Sequence, residues 1–126
     1  MKQTANGIEV AQGSRITIAC LARNMGLNLA AFAPSADWGT LSSPIVITDH
    51  GLSRSGAFEA PMAPDRCDIV VEFNFLPDAG GNFPAGIDYT ISITETTPEG
   101  QATTIDDPPP IIPPPIVDRG YKFITR

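Results

Sequence analysis

The chain has 126 residues, of which 42% are hydrophobic and 17% charged, and its formal net charge is −6. That length fits one domain with a core that needs no staples, and the hydrophobic share is too high for wholesale disorder. The acidic balance and the scatter of the eight Lys and Arg disfavour binding to DNA or RNA, where phosphate contacts supply most of the affinity.

Thirteen Pro and eleven Gly favour short strands joined by many turns. Charge is sparse against the ~25% of an ordinary soluble domain, which is compatible with a surface that meets a partner. No apolar run reaches the ~18 residues that cross a bilayer, so no membrane span is expected. Met1-Lys-Gln-Thr-Ala-Asn-Gly7 enters polar sequence without the apolar stretch of a secretory signal. Intracellular synthesis with incorporation into a particle is therefore expected, with a mature secreted domain as the alternative. The absence of an Asn-X-Ser/Thr sequon removes one sign of secretion.

In chain order, Gly7 to Val10 reads as a short edge strand closed by the turn Gln12-Gly13-Ser14. Arg15 to Leu21 reads as a strand, with Ile16, Ile18 and Cys20 on one face and Arg15, Thr17 and Ala19 on the other. Met25 to Phe32 alternates Leu27, Leu29 and Ala31 and is read as strand, although its composition also suits a helix. Ser35 to Pro44 is read as a loop carrying the only Trp, Trp38. Ile45 to Thr48 is a short strand, Asp49 to Gly56 a polar loop, and Ala57 to Ala60 a brief pairing that Pro61 and Pro64 end.

Cys67 to Phe75 carries the clearest signal. Cys67, Ile69, Val71, Phe73 and Phe75 share one parity; Asp68, Glu72 and Asn74 share the other, with Val70 out of pattern. Pro77 to Asn82 is a turn. Ile87 to Thr94 sets Ile87, Tyr89, Ile91 and Ile93 inward and Asp88, Thr90, Ser92 and Thr94 outward. After a turn at Pro98-Glu-Gly100, Ala102 to Ile105 is a short return strand.

Asp106-Asp-Pro-Pro-Pro-Ile-Ile-Pro-Pro-Pro115 cannot be helix or central strand, because Pro fixes φ and lacks a donor. It is expected as polyproline II, about 25 Å long at ~3.1 Å per residue. Beyond it, Tyr121 to Thr125 alternates as a terminal strand. The sum is an all-β chain: a single antiparallel β-sandwich, immunoglobulin-like or jelly-roll-like, over residues 1–105, and a Pro-rich docking arm with a terminal strand over 106–126.

Chemistry-bearing motifs are weak. Cys20 and Cys67 lie on dry parities and their separation suggests an inter-sheet bridge, as in immunoglobulin domains. Trp38 does not sit within a strand, and Asp65 stands where a Tyr would precede the second Cys, so two buried reduced thiols are the expectation. Two Cys and one His cannot supply a four-ligand zinc site. Asp49, His50, Ser53 and Ser55 crowd one loop, but a hydrolytic triad needs residues converging from a rigid scaffold. Asp78 with Asp88, and Asp106 with Asp107, match no calcium-loop pattern and read as turn formers. Hence no enzyme, no cofactor and no metal is expected.

The expected function is a non-catalytic structural or assembly module, such as a subunit, decoration or accessory protein of a larger particle, a virion or filament among them. The expected contact residues toward a protein partner or a second copy are Pro109, Pro110, Ile111, Ile112, Pro113, Pro114, Ile116, Tyr121 and Phe123. The rival is a secreted adhesin-like or carbohydrate-binding sandwich that stacks a ligand on an exposed Trp38.

Overall fold

The structure is a computed structural model that describes residues 1–23, 26–27, 31–49, 53–77, 79–82, 89–107 and 116–126. Among them there is no helix. The strands are β1 (Lys2–Thr4), β2 (Gly7–Val10), β3 (Arg15–Ala22), β4 (Gly26–Leu27), β5 (Ala31–Phe32), β6 (Ser35–Asp37) and β7 (Ser42–Pro44). They continue with β8 (Val46–Asp49), β9 (Ser53–Glu59), β10 (Asp65–Leu76), β11 (Tyr89–Thr96), β12 (Ala102–Asp107) and β13 (Ile116–Thr125).

One sheet runs β1-β2-β13-β10-β4, with β5 also on β10; a second runs β12-β11-β3-β9-β8; β6 and β7 pair with each other. The expectation of a purely antiparallel chain is corrected at one place, since β2 lies parallel to β13. This pairing is close: a Cβ on Gly7, whose φ is +136°, would come within 2.7 Å of the Lys122 carbonyl oxygen. Glycine is needed there both for φ and for space.

The alternation of β10 is realised as written. Cys67, Ile69, Val71, Phe73 and Phe75 are buried, and Asp68, Val70, Glu72 and Asn74 lie on the other side. Val70 breaks the polar pattern at 65% exposure, opposite Gly120 of β13, where no neighbouring side chain covers it. In the second sheet Ile16, Ile18 and Cys20 of β3 and Tyr89, Ile91 and Ile93 of β11 are buried in the same way.

Both sets belong to one hydrophobic cluster. Rings join the sheets: Phe58 of β9 meets Phe123 of β13 at 5.6 Å, and Phe75 of β10 meets Tyr89 of β11 at 5.0 Å between centroids. Phe32 of β5 reaches so close to Gly56 of β9 that an added Cβ would lie 2.8 Å from its ring. Burying one such side chain stabilises by roughly 1.5–3 kcal/mol, so contacts between the sheets carry much of the stability.

Glu95 of β11 is buried among these apolar groups and is fully partnered. One oxygen accepts from the Ala11 amide at 2.7 Å and, more weakly, from the Ser14 hydroxyl at 3.4 Å. The other lies 3.1 Å from the Met1 ammonium. A buried carboxylate is tolerated only with such compensation, and here it fastens the β2–β3 turn and the N-terminus to the second sheet.

Four expectations need correcting. Residues 53–56 are strand, not polar loop: they extend β9 along β3, with Ser53 opposite Leu21 and Ser55 opposite Ala19. The Trp38 loop contains the β6–β7 hairpin. Gly7–Val10 is not the edge strand, because Lys2–Thr4 form β1 outside it and β13 lies on its other side. Most consequentially, the terminal strand is longer than expected and sits inside its own sheet. β13 pairs with β10 from Asp65↔Thr125 to Asn74↔Ile116 and with β2 on its other side. Its apolar residues fill the gap that β10 alone would leave over the core.

Candidate functional site

Of the expected contact residues, Pro109, Pro110, Ile111, Ile112, Pro113 and Pro114 lie outside the described residues. Ile116 starts β13 opposite Asn74. Tyr121 and Phe123 are core residues, Phe123 with 0% exposure, so neither is offered to a partner. Their burial corrects the picture of a terminal strand carried away from its own domain.

The ends of the Pro-rich segment are also tied together. Asp107, the last residue of β12, accepts a hydrogen bond from the Tyr121 hydroxyl at 2.8 Å and one from the Arg119 guanidinium at 3.2 Å. Burial, with Asp107 beside it, holds the Tyr121 phenol above its ordinary range, so it remains a donor. Residues 108–115 therefore join two strands of the same core, one from each sheet. A cleft of about 350 Å³ beside this clasp is lined by Gln3, Ile8, Ile105 and Gly120 among others.

Among the described residues the remaining candidates do not converge. His50, Asp78 and Asp88 lie outside the described residues. Asp49 faces the same side of its sheet as Arg54, and the two are paired at 2.7 Å. Ser53 and Ser55 alternate to the opposite side. Trp38 is 6% exposed and packs in the core, so it has no free face for stacking a sugar. Cys20 and Cys67 are free and buried; burial pushes their thiols up to about 12 and about 11, so neither is a nucleophile at neutral pH. No group of three or more metal-binding side chains is found among the described residues. No described helix is long and apolar enough to cross a membrane.

What the register assembles is a surface. In the second sheet the outward parity is Thr90, Ser92, Thr94 and Thr96 on β11; Arg15, Thr17, Ala19 and Leu21 on β3; and Ser53, Ser55, Ala57 and Glu59 on β9. Beyond β9 lie Val46 and Thr48 of β8, and beyond β11 lie Ala102, Thr104 and Asp106 of β12. Row by row, Thr104, Thr94, Thr17, Ala57 and Val46 cross the sheet, and so do Asp106, Ser92, Ala19, Ser55 and Thr48. Among the described residues the only charges on this face are Arg15 and Glu59, opposite each other at one end, and Asp106 on an edge strand. Leu21 at 42% and Val46 at 58% exposure add apolar surface.

The outer side of the first sheet differs in kind. Arg66, Asp68 and Glu72 of β10 stand opposite Ile124, Lys122 and Asp118 of β13, with Glu9 and Lys2 beyond. A shallow groove of about 950 Å³ there is lined by Arg66, Asp68, Lys122 and Arg126, the last paired with Glu9. This is an ordinary solvated face of mixed charge.

This sparsely charged face was missed by sequence reasoning because no single strand reveals it: each stretch of Ser and Thr looks like a normal wet parity. Only the register of five strands from separate parts of the chain makes it continuous. Comparison with protein-family models, curated proteins and solved structures finds no match.

Proposed function

We propose that this chain is a non-catalytic assembly module: a β-sandwich that docks into a larger particle through the outer face of its five-stranded sheet. The observation that carries this reading is that, among the described strand residues, charge on that face is confined to Arg15, Glu59 and Asp106 at its margins, whereas the outer side of the first sheet carries Lys2, Glu9, Arg66, Asp68, Glu72, Asp118 and Lys122. Interfaces are depleted of Lys, Glu and Asp at their centres, because desolvating a charge costs more than its pairing returns. Hydroxyl and methyl groups of Thr and Ser are cheap to desolvate by comparison and pair across an interface.

In sequence, residues 108–115 join β12 to β13 and include the apolar Ile111 and Ile112. In this reading the Pro-rich stretch is a second contact, because a Pro-restrained segment loses little entropy on binding. Carbohydrate recognition is disfavoured by the burial of Trp38.

The test is size fractionation of lysate from cells that make the protein. The wild-type chain should co-migrate with a larger particle, and Thr17→Lys, at the centre of the face, should shift it to the position of the free chain. Retention of Thr17→Lys in the particle would overturn the reading.

A further inference from the structure

We infer that the occupant of the sparsely charged face is a second copy of this chain, stacked sheet on sheet about a two-fold axis near Thr17 and Ala19. This rests on the docking reading above and names its partner. Three features point to a like copy. The first is charge. With a formal net charge of −6, a second copy is repelled by most approaches; on this face the acidic groups, Glu59 and Asp106, stand at the margin and none lies on the central residues Thr17 and Ala19 or their neighbours Thr94, Ser92, Ser55 and Ala57. Arg15 and Glu59 offset each other at one end of the sheet, and Asp106 sits on the outermost strand.

The second is shape. β3 is the middle strand of the five, so an axis near Thr17 lays β3 over its own copy with β9 and β11 on either side. Such a contact is isologous and closes on itself, with both copies using the same residues. Two sheets with small residues on the facing sides stack within about 30° of alignment, with side chains interdigitating.

The third is area. Five strands at about 4.8 Å spacing and about six residues of 3.4 Å each give roughly 500 Å² per copy. The pair then buries about 1,000 Å², the lower bound for a specific association and the size expected of a reversible dimer. Leu21 and Val46 lie on this face and would be covered.

The experiment is charge exchange at the axis. Thr17→Lys and Thr17→Glu are made in the full chain, and masses are measured by light scattering across a concentration series. The wild type should dimerise at high concentration. Each variant alone should self-associate at least about 100-fold more weakly, because like charges face each other at the axis. An equimolar mixture of the two should recover the dimer. Circular dichroism melts report whether each variant folds; if either does not, Ser92→Lys and Ser92→Glu on the adjoining strand carry the same test.

A wild type that stays monomeric to millimolar concentration overturns the inference, as do variants that dimerise as well as the wild type or a mixture that gains nothing over its components. If the purified protein is monomeric while Thr17→Lys still releases the chain from its particle, the second copy is wrong and the docking face stands.

Discussion

The two sheets share a core and solve the problem of their outer sides in opposite ways. The β1-β2-β13-β10 side mixes cations and anions around Val70 and Gly120, with Asp68 opposite Lys122 and Glu72 opposite Asp118. The β12-β11-β3-β9-β8 side is mostly Ser, Thr and Ala with Leu21 and Val46, its charges Arg15, Glu59 and Asp106 at the margins. Their edges differ too. The first sheet ends in the three-residue β1, which carries Lys2, and in the two-residue β4. The second ends in β12, uncharged from Ala102 to Ile105 and closing on Asp106 and Asp107, and in β8, with Val46 and Ile47 exposed before Asp49. Short or charged edges discourage pairing with another chain and bare ones do not. On the outer sides, charge is thus denser on the first sheet than on the second.

The largest effect expected is on the first sheet. Removing residues 116–126 takes away a 10-residue strand from between β10 and β2, and with it Tyr121 and Phe123. The truncated chain should show no cooperative unfolding by circular dichroism. A folded truncation that merely fails to assemble would restore the free-arm picture. Next, Phe73→Ala and Phe123→Ala should each cost roughly 3–5 kcal/mol in denaturant melts, since both rings are fully buried and meet rings from other strands. A loss below about 1 kcal/mol would place the core elsewhere.

Glu95→Ala comes third, at roughly 3 kcal/mol, because it strands the Ala11 amide and the Met1 ammonium. Asp65 gives a smaller effect with a pH signature. Its carboxylate accepts from the Thr40 hydroxyl and from the amides of Gly39, Thr40 and Arg66, and these bonds hold it down to about 2 from 3.8, the Thr40 hydroxyl most. The folded value is below the unfolded one, so the contribution is complete above about pH 4 and is lost as pH falls through about 2. Asp65→Asn should flatten that acid limb of the melting-temperature profile and leave the neutral side parallel to wild type. Smallest of all on stability is Thr17→Lys, within about 0.5 kcal/mol of wild type, because the side chain is on the wet parity of its strand. Its effect belongs to assembly alone.

Much of the fold was legible. β3, β10 and β11 each have one dry and one wet side, and period-two alternation reports that directly. Only the Ala57–Glu59 end of β9 was legible; its first half was not, because its inward residues there are Arg54 and Gly56, the first paired with Asp49 and the second vacant so that Phe32 can pack on it. Neither gives an apolar beat. β13 was legible only from Tyr121 onward, since Arg119 and Gly120 interrupt its pattern; Arg119 turns to Asp107 instead. The sparsely charged face was illegible for a different reason: a wet parity rich in Thr is unremarkable in one strand and becomes a surface only when register sets five such strands side by side.

The most direct test of the contact side uses the molecule's own control. Leu21 and Val46 lie on the sparsely charged face and Val70 on the more charged one, all well exposed in the single chain. Hydroxyl-radical footprinting of the free and the assembled protein compares the three positions in one experiment. Assembly should protect Leu21 and Val46 several-fold and leave Val70 unchanged; protection of Val70 with Leu21 and Val46 still reactive would contradict the assignment of the two sides.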